Sequence, residues 1–369
     1  MSTENTEITE NIVMNSHNPD GLVLPVTDTH GELKPISHYA QELKKSLPRT
    51  IFEPYTARIL WLCGYALIGV TALTVISQIP MPWPFKLFLA ILAGNCFGGM
   101  AFFAHELLHG SVIRNRMAQD VLGFIAFITF FISPTFWRVW HNQLHHGHTQ
   151  AIITDPDAFP PLRIYKHSRF MQFMFPFTPG SGHLRSYSYF FFWFSFHILT
   201  AQTYLRFRNS VYKNLNHTRV TLEMIGQISI WGLFLYWLGP HLLFWTFVIP
   251  FMTQNYFAMS YIATNHNLSP LTKVNDPLIN SLSVTNHPIL EWFHLNFGYH
   301  VEHHIFPAVN GIHAKKLHAL LKENFPGRYQ VMNKLKAIKG LYNTSRIYAN
   351  ANTLINPETK QTYSTIQPQ

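Results

Sequence analysis

From Ile59 to Ile79 the chain runs for 21 residues without a charged side chain. At about 1.5 Å of rise per residue a helix of that length spans roughly 30 Å, the thickness of a bilayer's hydrocarbon core. Pro80, Pro82 and Pro84 then interrupt the chain without adding charge. A second apolar run, Leu87 to Ala104, returns it and ends directly on His105. These two runs predict a transmembrane helical hairpin. The stretch from Val220 to Ala263, broken at Gly239-Pro240, reads as a second one. Composition agrees: charged residues make up 12% of the 369, about half the share of an ordinary soluble domain.

Two further runs are ambiguous. Val121 to Phe136 is short and stops near Pro134, and Tyr187 to Leu205 is aromatic but interrupted by His197 and Gln202. Parity decides between readings. If the clusters containing His105, His141 and His300 build one site, an even number of crossings must separate each pair. The simplest solution is an all-α integral membrane protein with four transmembrane helices in two hairpins, beneath a cytosolic helical cap that carries the histidines. Charge fits this, since Arg114, Arg116, Arg138, Arg163, Lys166, Arg169, Arg206, Arg208, Lys315 and Lys316 fall on the proposed inner side. Residues 1–54 are then a polar cytosolic segment without a signal peptide, 55–340 the membrane domain, and 341–369 a flexible tail. Gly311 to Phe325 has apolar and basic residues at helical spacing, suited to a membrane surface or to packing on the cap.

The net charge of +9 comes without an arginine-rich tract or a nucleic-acid module, so a membrane surface with anionic lipid is the expected partner and nucleic acid is not. The two cysteines, Cys63 and Cys96, lie in apolar runs and cannot build an iron–sulfur site.

Three histidine clusters carry the chemistry: His105-Glu-Leu-Leu-His109, His141-Asn-Gln-Leu-His145-His146, and His300-Val-Glu-His303-His304. Positions three or four apart share a helix face, so each cluster can aim its imidazoles together. Imidazole suits iron, copper, nickel and zinc alike, but eight histidines exceed what one tetrahedral zinc uses, and two metals are the economical inference. The first cluster alone matches the pattern of zinc metalloproteases, with Glu106 as general base. That reading leaves the second and third clusters idle. With two metals Glu106 becomes a group that orients an imidazole. His148 and His294 are candidates for similar supporting roles, and His287 reads as structural. Asp155 and Asp157 are candidates to hold ligand histidines or line the site, although a turn with solvated carboxylates is the simpler account.

The boxes, their order and the hairpin between the second and third resemble the membrane fatty-acid desaturase superfamily. Asn296-Phe-Gly-Tyr-His300-Val-Glu-His303-His304-Ile-Phe-Pro307 resembles its third box, and Trp140-His141-Asn142 through His146, followed by Thr149, is similar to second boxes of its bacterial acyl desaturases. The second box has three residues between its first histidine and the pair, where many members have two. The resemblance implies two iron ions held by His105, His109, His141, His145, His146, His300, His303 and His304. It adds His266, in Asn265-His266-Asn267, as a further ligand.

The implied reaction is O2-dependent desaturation of an acyl chain carried on CoA, carrier protein or lipid, at the cytoplasmic face of a bacterial membrane. Aromatic runs at Phe102-Phe103, Phe130-Phe131, Tyr189 to Phe194, and Tyr256 with Phe257 are candidate tunnel walls. No fused cytochrome b5, ferredoxin or dinucleotide fingerprint is present, so a separate ferredoxin or cytochrome b5 type donor is implied. Hydroxylation or terminal-alkene formation from the same centre, a membrane zinc protease, and a non-catalytic metal-binding membrane protein are the alternatives.

Overall fold

The computed structural model describes residues 27–28, 31–152 and 154–366. Most of the expected N-terminal segment, residues 1–26 with 29–30, lies outside the described residues. The described chain is mostly helical, with only short strands.

After α1 (Ile36–Lys44), the first hairpin forms as expected from α2 (Ile59–Gln78) and α3 (Trp83–Leu108). Among the described residues these are the two helices long and apolar enough to cross a membrane. Their surroundings differ: 33% of the apolar window is buried for α2 and 67% for α3. Small residues give α3 its central place. A Cβ on Gly94 would come within 2.5 Å of the Pro250 carbonyl, and one on Gly99 within 2.6 Å of the Tyr65 ring. The backbone at Pro250 and the ring of Tyr65 therefore come close against α3, as small residues allow in membrane bundles.

The two ambiguous runs stay short. Residues Arg116–Ala126 form α4, with Asn115 capping its N-terminus at Ala118 N, and the chain then turns irregularly through 127–133. Three glutamine side chains satisfy this stretch. Gln227 Nε2 donates to the carbonyls of Phe124 and Ile132, Gln254 Nε2 to that of Thr129, and Gln202 Nε2 to that of Phe131. Irregular backbone away from water needs such partners. The aromatic run becomes α5 (Tyr189–Thr203), which packs along the later helix α7.

The second hairpin consists of α6 (His217–Leu238) and a π-helical turn, Phe244–Val248, leading into α7 (Ile249–His266). Gln227, Gln254 and Asn255 are buried in it, which lowers the apolarity of these helices while leaving Leu222, Ile225, Leu233 and Tyr236 exposed on the outside.

A smaller core joins α1 to α8 (His300–Ile305) and α9 (Ala314–Asn324), through Tyr39, Leu43, Val301, Ile305, Leu317 and Leu321. The amphipathic segment after Gly311 thus buries its apolar face on the protein. Strands Ser283–Thr285 and Val331–Asn333 pair in parallel, and the latter leads into α10 (Lys334–Asn343). Where the sequence suggests a flexible tail, Ile347–Asn350, Thr353–Ile355 and Thr362–Ser364 form an antiparallel sheet. It is anchored by buried Arg346, Tyr348 and Leu354. These residues are too few and too irregularly spaced to announce a sheet by their pattern.

Candidate metal centre

Four elements deliver the histidines to one place. The last turn of α3 supplies His105, and His109 follows as its C-cap. The second box lies on a π-helical segment, Arg138–His145. The wider π turn absorbs the extra residue of this box, so that His141 and His146, five apart, bring their Nε2 atoms within 3.2 Å. His266 is the last residue of α7, and α8 presents His300, His303 and His304.

Nine imidazoles thereby form two groups. His105, His109, His141, His146 and His303 make one, and His145, His266, His300 and His304 the other, each with its nitrogens within 4.8 Å of one another. Between Nε2 atoms the separations are 3.1 Å for His303 and His146, 2.8 Å for His266 and His300, and 3.1 Å for His304 and His300. Two nitrogens each about 2.1 Å from one ion and roughly at right angles would stand about 3 Å apart. Both nitrogens of His105, Nε2 of His109 and Nδ1 of His146 are buried without a hydrogen-bond partner. Buried polar atoms are rarely left so, and a cation among them satisfies what the protein does not.

The protonation states suit a metal. Burial, reinforced by neighbouring imidazoles, holds His141, His146, His300, His303 and His304 well below the ordinary histidine range. His109 is pushed down to about 3 by the same causes. Neutral imidazole is the ligating form. His145 departs from this. Burial opposes its charge, but the Asp155 carboxylate, 2.9 Å from Nδ1, and Asp157 beside it together raise the pKa.

Asp155 is 3% exposed, so the expected solvated turn is not what forms. Its Oδ2 accepts from Gln150 N at 2.7 Å and its Oδ1 from Asp157 N at 3.0 Å. Asp157 Oδ2 lies 3.4 Å from the same His145 nitrogen, and burial pushes its carboxyl up to about 7. This carboxylate pair fixes a proton on Nδ1 and leaves Nε2 available. Nearby, Thr149 Oγ1 lies 3.3 Å from His304 Nδ1, and the Asn280 carbonyl 3.5 Å from His266 Nδ1.

Other expectations are corrected. Glu106 does not orient an imidazole. Its carboxylate accepts from Arg58 at 2.8 and 3.2 Å, from Asn310 at 3.1 Å and from Gly311 N at 3.0 Å, pinning the end of α3 to the start of α2. His148 is exposed and bonded to the Leu144 carbonyl. His294 lies outside both groups, between Tyr261 OH at 3.1 Å and Asn95 Oδ1 at 2.9 Å. Both histidines point to local backbone or polar partners because short spacing to a box does not fix direction. The sequence also gave no sign of Trp137 stacked on His141 at 4.5 Å. Nor did it show Glu302, which reaches away from the imidazoles to Ser283 and Tyr329 and so sets the rotation of α8.

The match to the fatty acid desaturase family model runs over residues 81–336, which takes in all three boxes and His266. The chain belongs to the fatty acid desaturase family. As a member it is an oxidoreductase. Among curated relatives, the sn-1 oleoyl-lipid 12-desaturase of Synechocystis is 24% identical over 77% of this chain and 82% of its own length. The chloroplastic omega-6 fatty acid desaturase of Arabidopsis thaliana is 22% identical over 81% and 66%. A Delta(9) fatty acid conjugase-like enzyme of Dimorphotheca sinuata is 24% identical over 78% and 84%.

Proposed function

We propose that this desaturase introduces a double bond into an acyl chain, using O2 and two irons held by the nine histidines. His105, His109, His141, His146 and His303 would hold one ion, and His145, His266, His300 and His304 the other. The observation that carries the reading is the convergence of these imidazoles into two adjoining buried groups with orphaned nitrogens. Bound there, the irons would supply the oxidising power that unactivated C–H bonds require. Overall, –CH2–CH2– with O2, two electrons and two protons gives –CH=CH– and two waters. The electrons come from a separate ferredoxin or cytochrome b5 type donor. Asp155 and Asp157 keep the Nδ1 proton of His145 in place, while Glu302 and Ser283 hold the third box in register.

The chain is read as four spans, α2, α3, α6 and α7 with its preceding π turn, in a bacterial cytoplasmic membrane with the site on the cytoplasmic face. Exposed apolar side chains on α2 and α6 support this reading. Residues 55–340 form the membrane domain. A zinc protease is disfavoured because Glu106, its required base, is taken up by Arg58, Asn310 and Gly311.

The test is fatty-acid profiling by gas chromatography and mass spectrometry of a host expressing the chain or its His303→Ala variant. A new unsaturated species in the wild type alone is expected, with about two irons per purified chain. A hydroxy acid or a terminal alkene would overturn the reaction while keeping the centre.

A further inference from the structure

Both histidine groups border one pocket. His105 and His303 of the first group and His300 of the second stand on its wall. It encloses about 490 Å³ of empty space between the end of α3, the turn at 295–297, the segment 306–311 and α9. Asp157 does not reach it. That residue borders instead a larger apolar cavity, of about 1050 Å³, between the segment 156–178, α5 and α7. Two separate spaces therefore adjoin the centre, and only the smaller touches the imidazoles of both groups.

Apart from the imidazoles, the wall of the smaller pocket is mostly apolar, with Phe102, Phe297, Phe306, Val309 and Leu317. Its polar side chains are already engaged within the protein. Glu106 accepts from Arg58, Asn310 and Gly311 N, and Asn296 donates to the Gly311 carbonyl. Tyr299 donates to Glu291, and Glu302 accepts from Ser283 and Tyr329. A buried water requires about three polar partners. Such a wall favours an uncharged apolar guest over water.

The turn that closes the pocket is strained. Leu295 and Asn296 both have left-handed backbones, with φ of 58° and 60°, a region that bulky side chains rarely adopt. The turn is also pressed against the next loop, since a Cβ on Gly311 would come within 2.6 Å of the Leu295 carbonyl oxygen. Strain of this kind persists only where surrounding contacts over-determine it, and it gathers at functional sites. Here it places Phe297. Between centroids, that ring stacks on Phe102 at 4.4 Å and lies 5.0 Å from the ring of His105 and 5.6 Å from that of His300. One apolar ring thus borders the pocket and both histidine groups.

We propose that this pocket is the holding site for dioxygen, an uncharged apolar diatomic, against Phe102 and Phe297 and beside His105, His300 and His303. Dry apolar cavities take up xenon for the same reason. The position puts the gas next to ligands of both groups before reaction, apart from the space beside α5. That the guest is O2 rests on the desaturase reading; the pocket's affinity for a small apolar gas does not.

The test uses crystals of the full, iron-loaded chain pressurised with xenon, which is located by its anomalous scattering. Xenon is expected between Phe102, Phe297 and Leu317. Leu317→Phe, which extends a ring into the pocket from α9, should exclude that xenon. It should also raise the KM for O2 by about fivefold, well inside the affinity that a two-atom guest can draw from a pocket. Iron per chain and the KM for the acyl substrate should match the wild type. Should that variant fail to fold, Ala314→Val narrows the same pocket by a smaller change and is read in the same two ways. The proposal falls if no xenon enters the pocket, or if ordered water fills it in the wild type. It also falls if a variant that excludes xenon keeps the wild-type KM for O2. Xenon in the pocket without any new double bond in the profiling experiment would sink the desaturase reading, and with it the identity of the guest. A new double bond without xenon would overturn this site alone.

Discussion

The two histidine groups are built on different supports. In the group containing His145, single hydrogen bonds reach three of the four ligands directly: Asp155 holds His145, Thr149 adjoins His304 and the Asn280 carbonyl adjoins His266, while Nδ1 of His300 has no such partner. In the group containing His105, both nitrogens of His105 and Nε2 of His109 have no such partner, and the support lies one step back. There the Arg58–Glu106 pair fixes the end of α3, and the ring of Trp137 lies against His141. One metal position is therefore held through individual side chains, the other through the placement of whole helices. Mutations should separate the two modes.

The largest effect is expected where a ligand itself is removed. His303→Ala should lower desaturation by more than about a hundredfold, beyond the effect of losing a group that merely orients a ligand. It should weaken the iron of its own group and spare the other, whose ligands are untouched. Iron analysis with activity on the same preparation checks this. Two irons retained with full activity would break the division into groups.

Next comes the helix-level support. Arg58 and Glu106 are both nearly inaccessible, with side chains 6% and 9% exposed. Arg58→Ala leaves a buried carboxylate without its cation, a loss of about 3–5 kcal/mol. Thermal unfolding in detergent should show a markedly lower midpoint. Below that midpoint the variant should still bind about two irons, because no ligand has been touched. Selective loss of one iron would show that the pair orients a ligand after all.

A third change acts on the direct support. Asp155→Ala should weaken one of two metal positions by about 10–100-fold and spare the other. Chelator competition would then become biphasic, with one iron leaving early. Equal weakening of both irons would mean that the two groups behave as one unit.

How much of this was legible in the sequence depends on the kind of feature. The first hairpin was plain because α2 and α3 carry no charge across a bilayer's length, apart from Lys86 and Glu106 near the two ends of α3. The boxes were plain because helical spacing confines three and four residues to one face. The π turn was hidden, since an added residue in a box reads equally as a shifted ligand or a changed helix, and only backbone geometry decides. Asp155 was misread because an Asp-Pro-Asp run is ordinary turn chemistry on the surface, and its burial depends on residues far along the chain. The apolar cavity was half visible: the aromatic richness of Tyr189 to Phe194 stood out, but those residues could as well have faced lipid, and only packing against α7 decides which do. The C-terminal sheet escaped for want of periodicity in strands of three or four residues.

The smallest change is the finest test of the contrast. Thr149 Oγ1 donates to the His145 carbonyl at 2.8 Å and lies 3.3 Å from His304 Nδ1. Thr149→Val keeps the shape and removes the hydroxyl, so a weak brace to His304 is lost while its helix stays in place. A neutral hydrogen bond of this kind contributes about 1 kcal/mol, which is about a fivefold change in the affinity of one iron position. Chelator competition should show that modest loss in the same phase that Asp155→Ala affects, with the other phase unmoved. If the affinity does not change, α8 alone orients His304, and direct bracing in that group reduces to the carboxylates on His145. If the other phase moves instead, the assignment of His304 to the group of His145 is wrong.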